Sequence, residues 1–313
     1  MQKGINYDTG FSPGPQTTRS VFDPDVVRRD MRAIAEDLHC TAVRISGGDP
    51  ERLSVAGDYA AAVGLDVWFA PVPTNLPAER MLAVFDVYAT RAEGLRERSG
   101  NEVVLVLGCE VSVFAEGFVP GVGVYERLAN LSNPTPEMYT SYPALLQRLN
   151  NFLAESARAA RRTFGGRLTY ASGLWEQVDW RLFDIVGVDA YRDASNAAVF
   201  GDVVRAYVAQ GKPVAITEFG CCTYAGAAAV GGAGWALDDQ TVVPDEREQV
   251  RYLRELWPAF EQAGVEIAFW FTFGAYHLSP GHDAASYGAV SLLDAPAGRS
   301  WRPKEVFHAL AEL

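Results

Sequence analysis

Short apolar runs recur along the chain, each followed by a loop and then by a stretch in which apolar positions return every three or four residues. The runs at 3–7, 41–46, 66–70, 102–109, 167–171, 184–189, 213–218 and 266–271 are mostly apolar. Parallel strands covered on both faces read in this way. Amphipathic stretches at 24–38, 77–98, 136–164, 197–210 and 244–262 lie between runs, and 302–313 follows the last one. Asp23 before Pro24 has the residue types of an N-cap with proline at the first helical position. Eight strand-then-helix units with no change of composition predict one domain over residues 1–313, a (β/α)8 TIM barrel. An open, doubly wound sheet would carry a Gly-x-Gly-x-x-Gly turn after an early strand. The first run leads instead into Asp8-Thr9-Gly10-Phe11-Ser12-Pro13.

The loops after the fourth, seventh and eighth runs (111–135, 219–243 and 272–301) are enlarged, while those entering the next run are as short as Gly64 or Gly211-Lys212. In a barrel the long loops then share the face on which active sites are built. Two runs lead there into a glutamate: Glu110 follows the fourth and Glu218 closes the seventh. A carboxylate at the end of a buried strand is expensive to desolvate unless a partner or a chemical role offsets the cost. A rim salt bridge is the ordinary fate of one such acid; two converging on one mouth favour catalysis. A carboxylate pair suits glycoside cleavage, one protonating the leaving oxygen and the other attacking the anomeric carbon. Arg44 on the second run is placed to hold a glutamate ionised, and Tyr191 after the sixth to donate a hydrogen bond to the nucleophile. Trp270 in the eighth run offers a flat floor for a sugar face, with plain core as its alternative; Trp175 offers a stacking platform. Tyr7 on the first run is counted with them, Glu176 is the rival acid, and Trp68, Trp235, Tyr224 and Tyr276 are further aromatic walls.

With these residues in place the chain resembles the clan A glycoside hydrolases, the barrel group that holds cellulases, β-mannanases, xylanases and β-galactosidases. The resemblance rests on Thr217-Glu218-Phe219-Gly220, on Glu110, and on the closing Trp301-Arg302-Pro303-Lys304. It implies Glu110 as acid/base, Glu218 as nucleophile and retention of configuration, and it maps Arg44, Tyr191 and Trp270 onto the clan's strand-two arginine, strand-six tyrosine and strand-eight tryptophan. Two positions depart. The clan places Asn before the acid/base, where this chain has Cys109, a poor hydrogen-bonding substitute. Asp189 stands near a position that cellulase-like members give to His. Both departures alter contacts with the sugar. The implied activity is retaining hydrolysis of a neutral oligo- or polysaccharide; the alternative is a catalytically weak or inactive sugar-binding barrel.

Composition narrows the partners. With 27 Lys and Arg against 39 Asp and Glu, the 313-residue chain carries a net charge of −12. That argues against nucleic acid, whose binding rests on basic residues, and against anionic membrane. A neutral carbohydrate is untouched by it, and a strongly anionic polysaccharide is an unexpected substrate. Four cysteines (Cys40, Cys109, Cys221, Cys222) are too sparse for a disulfide scaffold and lack paired Cys-x-x-Cys spacing, so reduced thiols are expected. With four histidines and no His-x-His after the first run, neither a catalytic metal nor another cofactor is implied; His277 and His282 read as loop polar residues. The glycine-rich stretch 225–234 lacks the Lys-Ser/Thr end of a phosphate loop and reads as a lid beside Glu218. No basic segment followed by an apolar leader opens the chain, so a cytoplasmic location is expected.

Overall fold

The computed structural model describes residues 1–236, 241–278 and 283–313; His282 and the side chain of Trp235, both singled out above, lie outside the described residues. Eight strands, β1 (Gln2–Asp8), β2 (Ala42–Gly47), β3 (Asp66–Pro71), β4 (Val103–Cys109), β5 (Arg167–Gly173), β6 (Val186–Asp189), β7 (Val214–Phe219) and β8 (Ile267–Trp270), form a closed parallel barrel. Each pairs with the next in sequence, and β8 returns to β1 through Gln2 opposite Ile267 and Ile5 opposite Trp270. Every run read as a strand is one, to within a few residues at its ends.

The helices start where the chain supplies caps. α1 (Pro24–Arg32) begins at Asp23, whose carboxylate accepts from the Asp25 amide, and α2 (Pro50–Ala62) begins at Asp49 in the same way. α3 (Ala78–Arg98) precedes β4. The enlarged loop after β4 folds into α4 (Val111–Phe114) and α5 (Val124–Ser132) before α6 (Pro136–Ala160). α7 (Phe200–Val208), α8 (Arg247–Ala263) and α9 (Glu305–Ala311) complete the outer layer. The expected closing helix loses its first residues. Trp301–Pro303 is instead a strand, β10, antiparallel to β9 (Val290–Leu292) within the loop after β8. The Trp301 indole accounts for this: it packs edge-on against Phe273 and donates to Asp30, which holds the segment extended.

Side chains alternate across the barrel wall. Val43, Ile45, Val67, Phe69, Val186, Val188 and Ile216 join the core beneath the helices, whereas Ala42, Trp68, Val104, Val106, Ala171, Ile185, Ala215, Ile267 and Phe269 fill the interior. Trp68 and Phe269 meet edge-on at 4.9 Å. Gly4 makes room for them, since a Cβ there would lie 2.4 Å from Phe269 Cδ1. Alternation breaks at two places: the pairing register shifts on β4 between Val106 and Cys109 and on β7 between Ile216 and Phe219. Such irregularities re-aim side chains, and both lie at strand ends that carry a glutamate. Among the described residues no helix is long and apolar enough to cross a membrane. All four cysteines are buried.

Candidate active site

On β7 the shifted register turns Thr217 and Glu218 to the interior together, with Phe219 outside them under the helices. Arg44 arrives from the inward-facing row of β2 and is fully buried; its Nη1 donates to Glu218 Oε1 at 2.6 Å and to Asn6 Oδ1 at 2.7 Å. The Asn6 amide in turn donates to the Thr217 carbonyl at 2.9 Å, so β1, β2 and β7 are tied through one guanidinium. Tyr191 approaches from beyond β6 and donates to the other carboxylate oxygen, Oε2, at 2.8 Å. Burial, then the Glu218 charge, raise the Tyr191 proton affinity well above that of a free phenol, which keeps it a donor. Gly232 lies against the Tyr191 ring, where a Cβ would come within 3.1 Å of Cγ, so the loop after β7 backs the phenol.

Asp189 ends β6 beside this pair. Its Oδ1 accepts from the Thr217 hydroxyl at 2.7 Å, and its Oδ2 faces Cys109 Sγ at 3.4 Å. Cys109 also lies 3.7 Å from Glu218 Oε1. Burial, reinforced by Glu218, pushes the Asp189 carboxyl well above the usual carboxylate range, and burial with both acids holds Cys109 as a thiol.

Glu110 follows Cys109 with a left-handed backbone, φ 41°, after Gly108 at φ 90°. A non-glycine residue in that region is uncommon and recurs where a fold holds a side chain for a task. No side chain among the described residues donates to its half-buried carboxyl. Burial first, then the charges of Asp189, Glu218 and Glu176, raise its proton affinity well above that of a free glutamate. Glu176, the rival acid, is occupied in holding this turn. It accepts from the Ser112 amide at 3.0 Å, the Tyr170 hydroxyl at 2.8 Å and the Gly173 amide at 3.1 Å. Tyr170 itself accepts from the Val111 amide at 2.6 Å, so both residues brace the α4 turn behind Glu110.

Of the residues singled out in the sequence, Arg44, Cys109, Glu110, Asp189, Tyr191 and Glu218 come together. Trp175 stands at the rim, half-buried across Gly173, with its indole donating to Ser112 Oγ at 3.1 Å. Two do not reach the mouth. Tyr7 faces outward and gives its hydroxyl to Asp30 at 2.9 Å. Trp270 is fully buried in the helical layer, edge-on to Phe219 at 5.4 Å, with its indole on the Tyr287 carbonyl. Phe271, one residue on, presents its ring toward Tyr191 at 6.4 Å and Tyr287 at 5.7 Å. Trp68 fills the barrel interior, while Tyr224 and Tyr276 are buried on the Gly234 carbonyl and Asp30. Phe11 and Phe114, half-buried on the interior core and 6.1 Å apart, supply aromatic wall that the reading above lacks. Residues 225–234 form tight turns, pinned by the Tyr287 hydroxyl between Gly231 and Gly234.

The sequence reading also missed Asn6, Thr217 and Phe271. Each was signalled by position: Asn6 and Thr217 are polar residues at interior positions of apolar strands, and Phe271 follows Ile267 and Phe269 at period two.

No protein-family model and no curated protein matches the chain. Solved structures do. A GH113 β-1,4-mannanase superposes with a TM-score of 0.67 at 16% identity, over 99% of this chain and 98% of that one. A GH113 β-mannanase from Alicyclobacillus acidocaldarius gives 0.59 at 17% identity, over 99% and 96%. A family 1 β-glucosidase from Thermotoga maritima gives 0.59 at 13%, over 100% and 96%. The chain has the barrel fold of these glycosidases. At such identities the likeness is one of fold, and the case for chemistry rests on the residues assembled at the mouth.

Proposed function

We propose that the protein is a retaining glycoside hydrolase acting on a neutral oligo- or polysaccharide. The observation that carries the reading is the contrast between two glutamates at one barrel mouth. Glu218 is held as the acceptor of Arg44 and Tyr191. Among the described residues Glu110 has no side-chain donor, and its surroundings favour the protonated acid. That asymmetry is what a double displacement needs. A Glu218 oxygen attacks the anomeric carbon while Glu110 gives its proton to the departing glycosidic oxygen, forming a glycosyl ester on Glu218. Glu110, now a carboxylate, takes a proton from water; the hydroxide oxygen bonds to the anomeric carbon and Glu218 departs. Arg44 and Tyr191 stabilise Glu218 as it leaves. Phe11, Phe114, Trp175 and Phe271 give the sugar apolar faces to lie on.

The test is kinetic, on a panel of aryl glycosides and soluble neutral polysaccharides. Glu218→Gln is expected to lower turnover by about a thousandfold or more. Glu110→Ala is expected to retain slow cleavage of activated aryl glycosides, accelerated by azide with a glycosyl azide of retained configuration as product. Full activity in both variants overturns the assignment. The buried thiol of Cys109, standing where the clan resemblance expects an amide, favours the second reading of a sugar-binding barrel. Saturable binding of an oligosaccharide without any turnover is the result that would select it.

A further inference from the structure

Three side chains of this mouth form a ligand set that the hydrolysis does not require. Cys109, Asp189 and Glu218 come from three different strand ends, and one donor atom from each lies within 4.8 Å of the others. The two sulfur–oxygen edges are 3.4 Å to Asp189 and 3.7 Å to Glu218. A tetrahedral ion with metal–sulfur bonds of about 2.3 Å and metal–oxygen bonds of about 2.0 Å sets that edge at about 3.5 Å. The donors are thus already spaced as two edges of such a site.

We propose that a thiophilic divalent cation, Zn²⁺ or Cd²⁺, binds between Cys109 Sγ and the carboxylates of Asp189 and Glu218 and switches the enzyme off. The inhibitory half rests on the hydrolase reading above; the binding half does not. Charge favours the ion. Among the described residues Asp189, Glu218, Glu110 and Cys109 lie around the Arg44 guanidinium, and three anionic ligands balance a divalent ion together with it. Arg44 occupies one lone pair of Glu218 Oε1 and Tyr191 one of Oε2, so each oxygen keeps a lone pair for a metal bond. Among the described residues the Nε and Nη2 of Arg44 are buried without a hydrogen-bond partner, so the guanidinium keeps donors for an acceptor that a ligand brings, such as water on the fourth corner. As the metal–ligand bonds form, Cys109 and Asp189 release their protons to solvent. The mixed sulfur and oxygen set selects for soft or borderline ions over Mg²⁺ and Ca²⁺, which take oxygen ligands. Cys109 and Glu218 remain 7% and 9% exposed, enough for an ion to enter from the mouth. The ion would hold the carboxylate oxygen that must attack the sugar.

The experiment titrates the metal-free chain with Cd²⁺ and follows the ultraviolet sulfur-to-cadmium charge-transfer band. One equivalent is expected to develop it. Cys109→Ser should lose the band, and a Cys221→Ser/Cys222→Ser variant, which removes the rival vicinal thiols, should keep it. Asp189→Asn should weaken binding at least about tenfold. Absence of the band, or its persistence in Cys109→Ser, overturns the site; so does unchanged affinity in Asp189→Asn, which covers the case of a Cys109 variant that fails to fold. With a hydrolysed glycoside, Zn²⁺ should inhibit and a chelator should restore turnover. A band without turnover on any glycoside leaves the metal site standing and removes the hydrolase reading. Turnover that ignores Zn²⁺, with no band, does the reverse.

Discussion

Glu110 and Glu218 are one residue type in two environments, and their division of labour follows from neighbours rather than from sequence distance. Glu218 has a guanidinium and a phenol in hydrogen-bond contact. Glu110 has burial, then Asp189 and Glu218 as like charges, and only distant relief from Arg44. The sign of the pH dependence follows. The first step needs Glu110 protonated, and its raised proton affinity extends that state to higher pH than a free glutamate allows; kcat/KM then falls as pH rises through that raised value. Removing the Asp189 charge removes one of the terms that raise it. In Asp189→Asn, measured with a chelator present, the basic limb of the kcat/KM profile is expected to move to lower pH. A limb that stays in place would show that Asp189 does not bear on the Glu110 proton.

At the scale of the strand, side chains alternate and a single residue decides inside from outside. Gly4 lies on the inner face of β1, where Phe269 of β8 occupies the space its side chain would need. Gly4→Ala is expected to cost about 1–3 kcal/mol in thermal or denaturant unfolding, as overpacked cores do, with turnover per folded molecule retained. Unchanged stability would mean that Phe269 has room to move. The same alternation explains what was legible in the sequence and what was not. Apolar runs marked all eight strands, and strand-end acids marked the mouth, because burial on both faces leaves few polar residues to choose among. Trp270 and Tyr7 miss the mouth by parity: Ile267 and Phe269 face inward, so Trp270 takes its core alternative beneath the helices and Phe271 takes the rim. The same count puts Asn6 inside and Tyr7 on Asp30. The shifts on β4 and β7 are of another kind. They depend on pairing with β5, β6 and β8, which no local pattern along either strand records.

Over the whole molecule, closure of β8 onto β1 is what brings residues from the second, fourth, sixth and seventh strands to one mouth. The charge of that molecule then selects what reaches it. The chain carries −12 overall, and within that total the mouth gathers Glu110, Asp189 and Glu218 around the guanidinium of Arg44. A carboxylated or sulfated polysaccharide approaching this field is repelled over a distance set by salt, about 30 Å at 0.01 M and about 8 Å at 0.15 M ionic strength. A neutral glycan experiences no such term. Values of kcat/KM on a neutral polysaccharide are therefore expected to be flat between those two ionic strengths. On a carboxylated polymer of the same backbone they should be lower, and should rise with salt as the field is screened. Equal rates on both polymers at low salt, or a neutral substrate that responds to salt as strongly as the charged one, would show that the acidic surface plays no part in choosing the substrate.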